Sequence, residues 1–261
     1  MRKWEKRMLI WGLALILVGA AAFTGVLWIN GFNLNAFAQS VSYQRRDCEF
    51  GDPFDRVKIT EVDARIHILP AADGVCSVAC DDSTGKTYEI HVKDGALEIK
   101  KRTSWLDSFS VSLVTPELIV RLPEGSYESL ELSTVSGDMR MENLQIGNLE
   151  IDTVSGDVAL ENMRLDALDV DGTSAAVQLA DSAVAGKAGI STVSGDICLE
   201  KSDAASFELN SVSGDITGSL NSGKQFRVNT VSGEVQLPES EAGQGHFKAS
   251  TTSGDVTIEV R

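Results

Sequence analysis

One short motif recurs through the second half of the chain and constrains its fold more than any other feature. The motif is Thr-Val-Ser-Gly-Asp or a close variant of it. Its central serines recur at nearly equal intervals and are Ser136, Ser155, Ser174, Ser194, Ser213, Ser232 and Ser253. A regular period of about 20 residues is typical of a solenoid, in which each copy adds one coil. We therefore predict a β-solenoid of about seven rungs, each of roughly 19–21 residues, over residues 128–261.

The residues around the motif predict short strands that meet at a bend. Leu130 and Leu132 alternate with polar residues before the first copy, and Met139 and Met141 do so after it. Alternation predicts a strand with one buried face, and the change from even to odd numbering requires a bend between the two strands. Glycine, serine and aspartate favour turns. We therefore assign structural corners to Ser136, Gly137, Ser155, Gly156, Ser194, Gly195, Ser213, Gly214, Ser232, Gly233, Ser253 and Gly254.

An acidic residue follows the glycine in most copies, which raises the possibility of a metal site. The candidate ligands are Asp138, Asp157, Asp196, Asp215 and Asp255. Carboxylates stacked about 5 Å apart repel one another, and a calcium ion could relieve that repulsion. The repeat lacks the glycine-rich pattern of calcium-binding rolls, however, and an aspartate also caps a turn. We prefer turn capping, keep calcium as the alternative, and assign no metal or other cofactor.

Residues 54–127 predict an all-β region that caps the solenoid. Apolar residues alternate with polar ones here, as at Val57 and Ile59. Asp94-Gly95 stands between two alternating runs and predicts a hairpin, because both central residues of a type I′ turn need positive φ. Residues 30–53 lack a period and are interpreted as a linker.

The N-terminus predicts a single-pass membrane anchor. Residues 8–29 contain no charged residue, and the basic tail of residues 1–7 precedes them. As a helix this segment would be about 33 Å long, enough to cross a bilayer core. Basic residues remain on the cytoplasmic side, so the rest of the chain would lie outside the cytoplasm. The alternative is a cleaved signal peptide, because Ala36-Phe37-Ala38 has the form of a cleavage site.

Charge limits the partners. The chain has a net charge of −15, and residues 1–40 include four basic side chains and one acidic side chain, which leaves −18 for the remainder. Such a domain repels nucleic acid and anionic lipid, so basic partners or divalent cations are favoured and nucleic acid is not expected. Among the cysteines, Cys76 and Cys80 are either half-buried free thiols or one of them pairs with Cys48. Their spacing does not predict a zinc site.

The composition does not favour an enzyme. Ser-Gly-Asp differs from the G-x-S-x-G elbow of hydrolases, and a serine nucleophile needs a base within hydrogen-bond reach. The three histidines, His67, His91 and His246, lie outside the motif. We therefore predict a non-enzymatic protein.

The chain resembles a bacterial putative-adhesin family of β-strand-repeat proteins, a domain of unknown function in Gram-positive envelopes. The matching features are the N-terminal apolar segment, the run VCSVAC…YEIHVKDGALEIKK, the strand ELIVRLP and the repeated TVSGD, and they cover nearly all of the chain after residue 50. The resemblance implies a β-solenoid at the outer membrane face, sometimes associated with envelope stress, without catalytic residues or a known ligand. We expect a binding, sensing or structural surface with an unknown envelope partner; a secreted or anchored adhesin-like module is the alternative.

Overall fold

The computed structural model describes residues 43–83, 85–103, 115–240 and 245–261, and these form two β-sheets. The strands of the first sheet are β2 (Arg56–Thr60), β5 (Lys86–Lys93), β6 (Ala96–Thr103), β8 (Ser126–Ser136), β10 (Gln145–Ser155), β12 (Arg164–Ser174), β14 (Ala183–Ser191), β17 (Gln225–Asn229) and β19 (His246–Ser250). The strands of the second sheet are β1 (Gln44–Phe50), β3 (Arg65–Pro70), β4 (Cys76–Asp82), β7 (Glu117–Leu122), β9 (Met139–Glu142), β11 (Val158–Glu161), β13 (Val177–Ala180), β16 (Ile216–Leu220), β18 (Val235–Gln236) and β20 (Val256–Val260). Strand β15 (Ile197–Asn210) begins in the second sheet and ends in the first.

From β8 onward each rung contains one strand, or one part of β15, in each sheet, joined at a corner formed by the TVSGD motif or its variant. Strand β8, for example, leads through its corner into β9, and a return turn then starts β10 one rung further along. Equivalent residues pair in parallel, so that Leu130 faces Leu149 in the first sheet and Met139 faces Val158 in the second. This stacking confirms the all-β, solenoid-like fold predicted from the repeat.

The order of the rungs in space departs from their order in the sequence at both ends. Along the first sheet the strands follow as β6, β2, β8, β10, β12, β14, β15, β19 and β17. The rung of β2 and β3 therefore lies between that of β6 and β7 and that of β8 and β9. Likewise the rung of β19 and β20 lies between β15/β16 and β17/β18. At these two places a rung does not stack on its successor in sequence, and residues 54–127 contribute two rungs of the stack.

Antiparallel strands end the stack on the side of β6 and β7. Strand β5 pairs with β6 through a turn in which Asp94 has φ 51° and Gly95 has φ 76°, which confirms the predicted hairpin. In the second sheet β4 pairs antiparallel with β7, and β1 pairs antiparallel with β4. Residues 44–50, predicted to belong to the linker, are therefore a strand. Hydrogen bonds to the free edge of β4 order this segment, which lacks an alternating apolar pattern of its own.

The core lies between the two sheets and consists of the inward side chains of every rung. The largest fully buried side chains include Phe207, Phe247, Ile59, Ile66, Leu97, Leu118, Leu130, Leu132 and Met139. Burying an aliphatic side chain of this size contributes roughly 1.5–3 kcal/mol, so several per rung supply the main driving force for stacking.

The return turns share a feature that the sequence analysis missed. Asn143, Asn162, Asp181 and Lys201 stand at equivalent places with φ between 45° and 58°. Asparagine and aspartate tolerate this left-handed conformation better than most residues. The Asn162 side-chain amide also donates to Asn143 Oδ1 at 2.6 Å, so the turns are bonded to one another. An Asn or Asp five positions after the TVSGD aspartate was the available sequence signal.

The predicted anchor of residues 8–29 lies outside the described residues. In the part of the chain that the structure describes, there is no helix of the length and hydropathy needed to span a membrane.

Candidate binding surface

The TVSGD corners form parallel rows of side chains along the stack. The first position is a buried hydroxyl residue, such as Thr153, whereas the valine after it is exposed. The glycine is closely packed and the final aspartate is exposed. Alternation within the incoming strand explains this pattern, because Thr153 continues the inward face of Leu149 and Ile151, and Val154 continues the outward one.

The corner glycines are required by the close approach of neighbouring rungs. A Cβ added at Gly195 would lie 1.7 Å from the carbonyl oxygen of Ala175, and at Gly214 it would lie 1.9 Å from that of Gly195. Gly137 and Gly156 additionally have positive φ, at 135° and 122°. The preference of glycine for turns, on which the corners were predicted, is therefore only part of the explanation. The main reason, however, is that the next carbonyl occupies the space of a side chain.

The buried hydroxyls of Thr192, Ser211 and Thr251 hold their corners together and connect them to a neighbouring corner. Thr153 donates within its own corner to the carbonyl of Ser155, and Thr134 Oγ1 has no hydrogen-bond partner among the described residues. Thr192 Oγ1 accepts the N–H of Gly195 at 3.1 Å within its own turn and donates to the carbonyl of Ala175 at 3.2 Å in the adjacent rung. Thr251 makes the same pair of bonds to Gly254 and Gly214. The threonine therefore performs the capping role that the sequence analysis gave to aspartate.

The aspartates instead connect one rung to the next. Asp138 Oδ1 accepts the N–H of Asp157 at 3.2 Å, and Asp196 Oδ1 accepts that of Asp215 at 2.9 Å. Asp215 does the same for Asp255 at 2.8 Å. The five calcium candidates thus form one exposed column whose members bind backbone amides. Among the described residues, three or more His, Cys, Asp or Glu side chains nowhere form a group suited to holding a metal ion.

In the third corner, at residues 172–176, two of the positions that differ from the motif are close neighbours in space. Gly172 replaces the usual threonine and Ala175 replaces the usual glycine. A Cβ at Gly172 would lie 3.0 Å from the Cβ of Ala175, so the alanine methyl group fills part of the space vacated by the threonine. The two departures from the motif compensate each other sterically.

The exposed valines form a mostly apolar ridge on the outside of the corners, with threonine in two of the eight rungs. We define the valine ridge as Val62, Val135, Val154, Thr173, Val193, Val212, Thr252 and Val231, in spatial order. The six valines are 40–82% exposed, a high value for an apolar side chain repeated at one position. At about 4.8 Å per rung the ridge extends roughly 34 Å. This row was not predicted from the sequence, although the alternation of the incoming strands places each of these valines on the outer face.

An acidic column lies on one side of the valine ridge, and two aspartates lie on the other. The exposed column described above lies downstream of the valines and is completed by Glu234. Upstream, Asp152 and Asp171 are paired neighbours and face outward two positions before Val154 and Thr173. The downstream row holds six acidic residues and one basic residue, Arg65, whereas the other six positions of the upstream row are uncharged.

A groove runs along the opposite edge of the first sheet, where the strands begin. It has a volume of about 930 Å³ and its floor includes Ile146, Leu165 and Val184. Its rim carries both signs of charge, with Glu128 and Asp166 beside Arg164, and Lys224 pairs with Asp203 at 2.6 Å. A groove of mixed charge does not select a partner by charge.

A buried ionic cluster replaces the hydroxyl column at the β6 end of the stack. Lys101 and Glu61 occupy the positions that threonine holds in later rungs, and their side chains are 1% and 0% exposed. Lys101 Nζ lies 2.7 Å from Glu61 Oε1 and 2.5 Å from Asp63 Oδ1, and Lys86 Nζ lies 2.9 Å from Asp63 Oδ2. Glu61 Oε1 also accepts the N–H groups of Val62, Asp63 and Ala64.

The cluster shifts the pKa values of Lys101 and Asp63 in the directions expected of an ion-pair network. Burial by itself would lower the pKa of Lys101, but the carboxylates of Glu61 and Asp63 outweigh it and raise that pKa. Burial would raise the pKa of Asp63, but the ammonium groups of Lys101 and Lys86 lower it overall. Both groups are therefore charged at neutral pH.

The cysteines are free thiols. Cys48 faces Val78 across β1 and β4, so Cys76 and Cys80 are its diagonal neighbours. Burial raises the pKa of Cys76 and of Cys80 to about 11, which keeps both thiols protonated and unreactive. This is the first of the two alternatives considered for these cysteines.

The histidines lie on separate strands, away from the corner serines. His67 is on β3, His246 begins β19, and exposed His91 on β5 lies 3.2 Å from Glu98. The hydroxyls of Ser136 and Ser155 donate to backbone carbonyls of the preceding rung, each at 3.3 Å. These serine hydroxyls therefore take part in stacking.

The chain belongs to the Toastrack family, DUF4097, whose sequence model matches residues 54–261. This confirms the resemblance drawn from the repeat. Among solved structures, the chain is similar to a putative cell adhesion protein from Clostridium sporogenes, with 13% identity, a TM-score of 0.43 and coverage of 84% of this chain and 100% of that one. It is also similar to a putative lipid binding protein from Parabacteroides distasonis, with 15% identity, a TM-score of 0.48 and coverage of 85% and 99%. A putative adhesin from Bacteroides fragilis has 12% identity, a TM-score of 0.39 and coverage of 86% and 100%. These three structures are too distant to indicate a function. No curated protein is significantly similar to the chain.

Proposed function

We propose that this protein is a non-enzymatic, membrane-anchored module whose β-solenoid stands outside the cytoplasm and serves as a binding or sensing surface of the cell envelope. The observation that carries the binding role is the valine ridge with its acidic borders. The threonine and aspartate side chains of the corners form hydrogen bonds between rungs, whereas the valine side chains of the ridge are exposed to solvent. Contiguous exposed apolar surface on a folded protein usually marks an interaction site.

The location outside the cytoplasm is supported by the N-terminal sequence. Basic residues precede a long uncharged segment, which is the arrangement of a signal anchor with a cytoplasmic N-terminus. We test it by adding an epitope after Arg261 and treating intact cells with protease. Loss of the epitope from intact cells supports the topology. Its protection, with loss only after lysis, contradicts the topology.

A secreted or anchored adhesin-like module is the second candidate, favoured by the small residues Ala36 and Ala38 before Gln39. Fractionation with N-terminal sequencing of the mature protein separates the two. A membrane-bound chain that retains residues 8–29 supports the anchor, and a product in the medium that begins at Gln39 supports secretion.

The binding role is tested by photo-cross-linking on intact cells. A photoreactive amino acid at Val154 should capture a partner that one at Val75, exposed but away from the ridge, does not. Equal capture from both positions would contradict a specific surface. An association with envelope stress, which rests on the family resemblance, predicts higher expression when cell-wall synthesis is blocked.

A further inference from the structure

The valine ridge and its charged borders together indicate the chemistry of a partner, an inference that rests on the binding role proposed above. We propose that the ridge binds a basic amphipathic helix, whose apolar side follows the valines and whose lysines or arginines meet the acidic column downstream of them and the two aspartates upstream.

The fold itself does not require valine at these positions. Thr173 and Thr252 occupy the same place in two rungs, with the same stacking of their backbones. Threonine is also β-branched and favours extended backbone as valine does, so local conformation does not explain the choice. Val135, Val154, Val193 and Val212 nevertheless leave 46–51% of their surface exposed. The apolar methyl group is therefore best explained by contact with another molecule.

The borders of the ridge select the charge of that molecule. Val154, for example, stands between Asp152 and Asp157 on the outer surface. Six acidic residues and one basic residue on the downstream side, with Asp152 and Asp171 on the upstream side, create a negative field that attracts cations. An apolar strip beside an acidic column is complementary to an apolar strip beside basic side chains.

The spacing of the rungs favours a helix over an extended strand. Rungs repeat about every 4.8 Å, and an α-helix presents an apolar side chain about every 5.4 Å along one face. Over four turns the two repeats drift apart by roughly 2.4 Å, which flexible side chains can absorb. Residues on one face of an extended strand are about 6.8 Å apart and lose the match within two rungs.

Two other occupants are disfavoured by charge. A second copy of the chain would bring the same acidic rows against one another, on a protein with a net charge of −15. An anionic membrane surface would likewise be repelled.

The test uses the full-length chain in a nonionic detergent and a fluorescent leucine–lysine peptide, about five helical turns long, that forms an amphipathic helix. A peptide of the same composition with scrambled leucines is the matched probe. The ridge variant is V135T/V154T/V193T/V212T, which copies the threonines found at two natural corners. The control variant is V75T/V235T, which removes two exposed valines that lie off the ridge. Because every protein sample contains the same detergent, binding of the peptide to micelles cancels in the comparison.

We expect the wild-type chain to bind the helical peptide at least tenfold more tightly than the scrambled one, and the ridge variant to lose about tenfold in affinity, with the control variant unchanged. D152N/D171N should weaken binding and reduce its dependence on salt. Circular dichroism and the melting temperature verify that each variant is folded.

Equal affinity of the ridge variant and the wild-type chain for the helical peptide would overturn the proposal, as would equal affinity of the two peptides. Concentration-dependent self-association, or binding to neutral vesicles, that the ridge variant loses would assign the ridge to a second copy or to lipid and would also overturn it. A partner cross-linked in cells that still binds the ridge variant would refute the helix site and leave the broader binding role intact.

Discussion

Replacing Lys101 by methionine should lower the free energy of unfolding by about 3–5 kcal/mol, the usual cost of leaving one member of a buried ion pair without its partner. The side chains of Lys101 and Glu61 are 1% and 0% exposed, so water cannot solvate the carboxylate that remains. Methionine fills a similar volume, so most of the loss reports the charge and little of it reports a cavity.

Two further variants separate this explanation from a general loss of packing. E61Q/K101M removes both charges and keeps an oxygen that can accept the three amide N–H groups of the turn, so it should recover most of the stability. K86M removes the other ammonium partner of Asp63. The side chains of Lys86 and Asp63 are 13% and 29% exposed, so water reaches this pair, and the substitution should cost only roughly 1 kcal/mol. The assay is urea unfolding followed by circular dichroism, with equal m-values required for comparison.

The dependence of the free energy of unfolding on pH provides a second test of the buried ionic cluster. The pKa of Asp63 is lowered in the fold, so the ionised carboxylate stabilises the folded protein. Its contribution to the free energy of unfolding is complete above the ordinary aspartate pKa of about 3.9 and is lost as pH falls through the lowered pKa. The pKa of Lys101 is raised, so its contribution is complete below about 10.4 and is lost as pH rises through the raised value. In K101M the fall in stability on acidification should be smaller, because Asp63 has one ammonium partner fewer and its pKa in the fold lies closer to the unfolded value. The reasoning is refuted if K101M is within about 1 kcal/mol of wild type, or if E61Q/K101M is as unstable as K101M.

Three other predictions concern the corners. G195A should destabilise the protein by more than about 3 kcal/mol in urea unfolding, since its Cβ would meet a carbonyl oxygen at 1.7 Å. The control G51A, with open space around it, should cost less than about 1 kcal/mol, and equal effects of the two would contradict the close-approach explanation. G172T should be destabilising alone and largely rescued by A175G, and additive effects in this double-mutant cycle would show that the two positions do not compensate. D157A should lower the free energy of unfolding by about 1 kcal/mol, and D157N should lower it less, because an amide oxygen still accepts the N–H of the next rung. A melting temperature that rises with millimolar calcium in wild type but not in D157N would favour the metal alternative.

Much of the fold could be predicted because each rung contains the same local information. The alternation around Leu130 and Met139 predicts strands, and the change of parity predicts the corner between them. The turn at Asp94-Gly95 was predictable from its two residues alone, since only a few residue types accept positive φ at both positions. The valine ridge could have been found in the same way, by continuing the alternation from Ile151 to Val154.

The candidate site was less predictable where it depends on contacts between rungs. Nothing in the motif distinguishes an aspartate that caps its own turn from one that accepts the amide of the next rung, because both need one exposed carboxylate at a bend. The partnership of Lys101 with Glu61 joins residues 40 positions apart, and it arises only because β6 and β2 are neighbours.

The sequence by itself determined that this protein is a stack of coils with apolar interiors, since a regularly repeated corner motif and strands of alternating polarity leave little other way to bury those side chains. The tertiary structure alone decided the order of the outermost coils. Parallel strands of similar length and pattern are nearly interchangeable neighbours, so local sequence cannot specify that β2 lies inside β6 or that β19 lies inside β17. That choice depends on the sum of contacts over whole rungs, including the buried charges at one end and the phenylalanines Phe207, Phe247 and Phe226 packed across three rungs at the other.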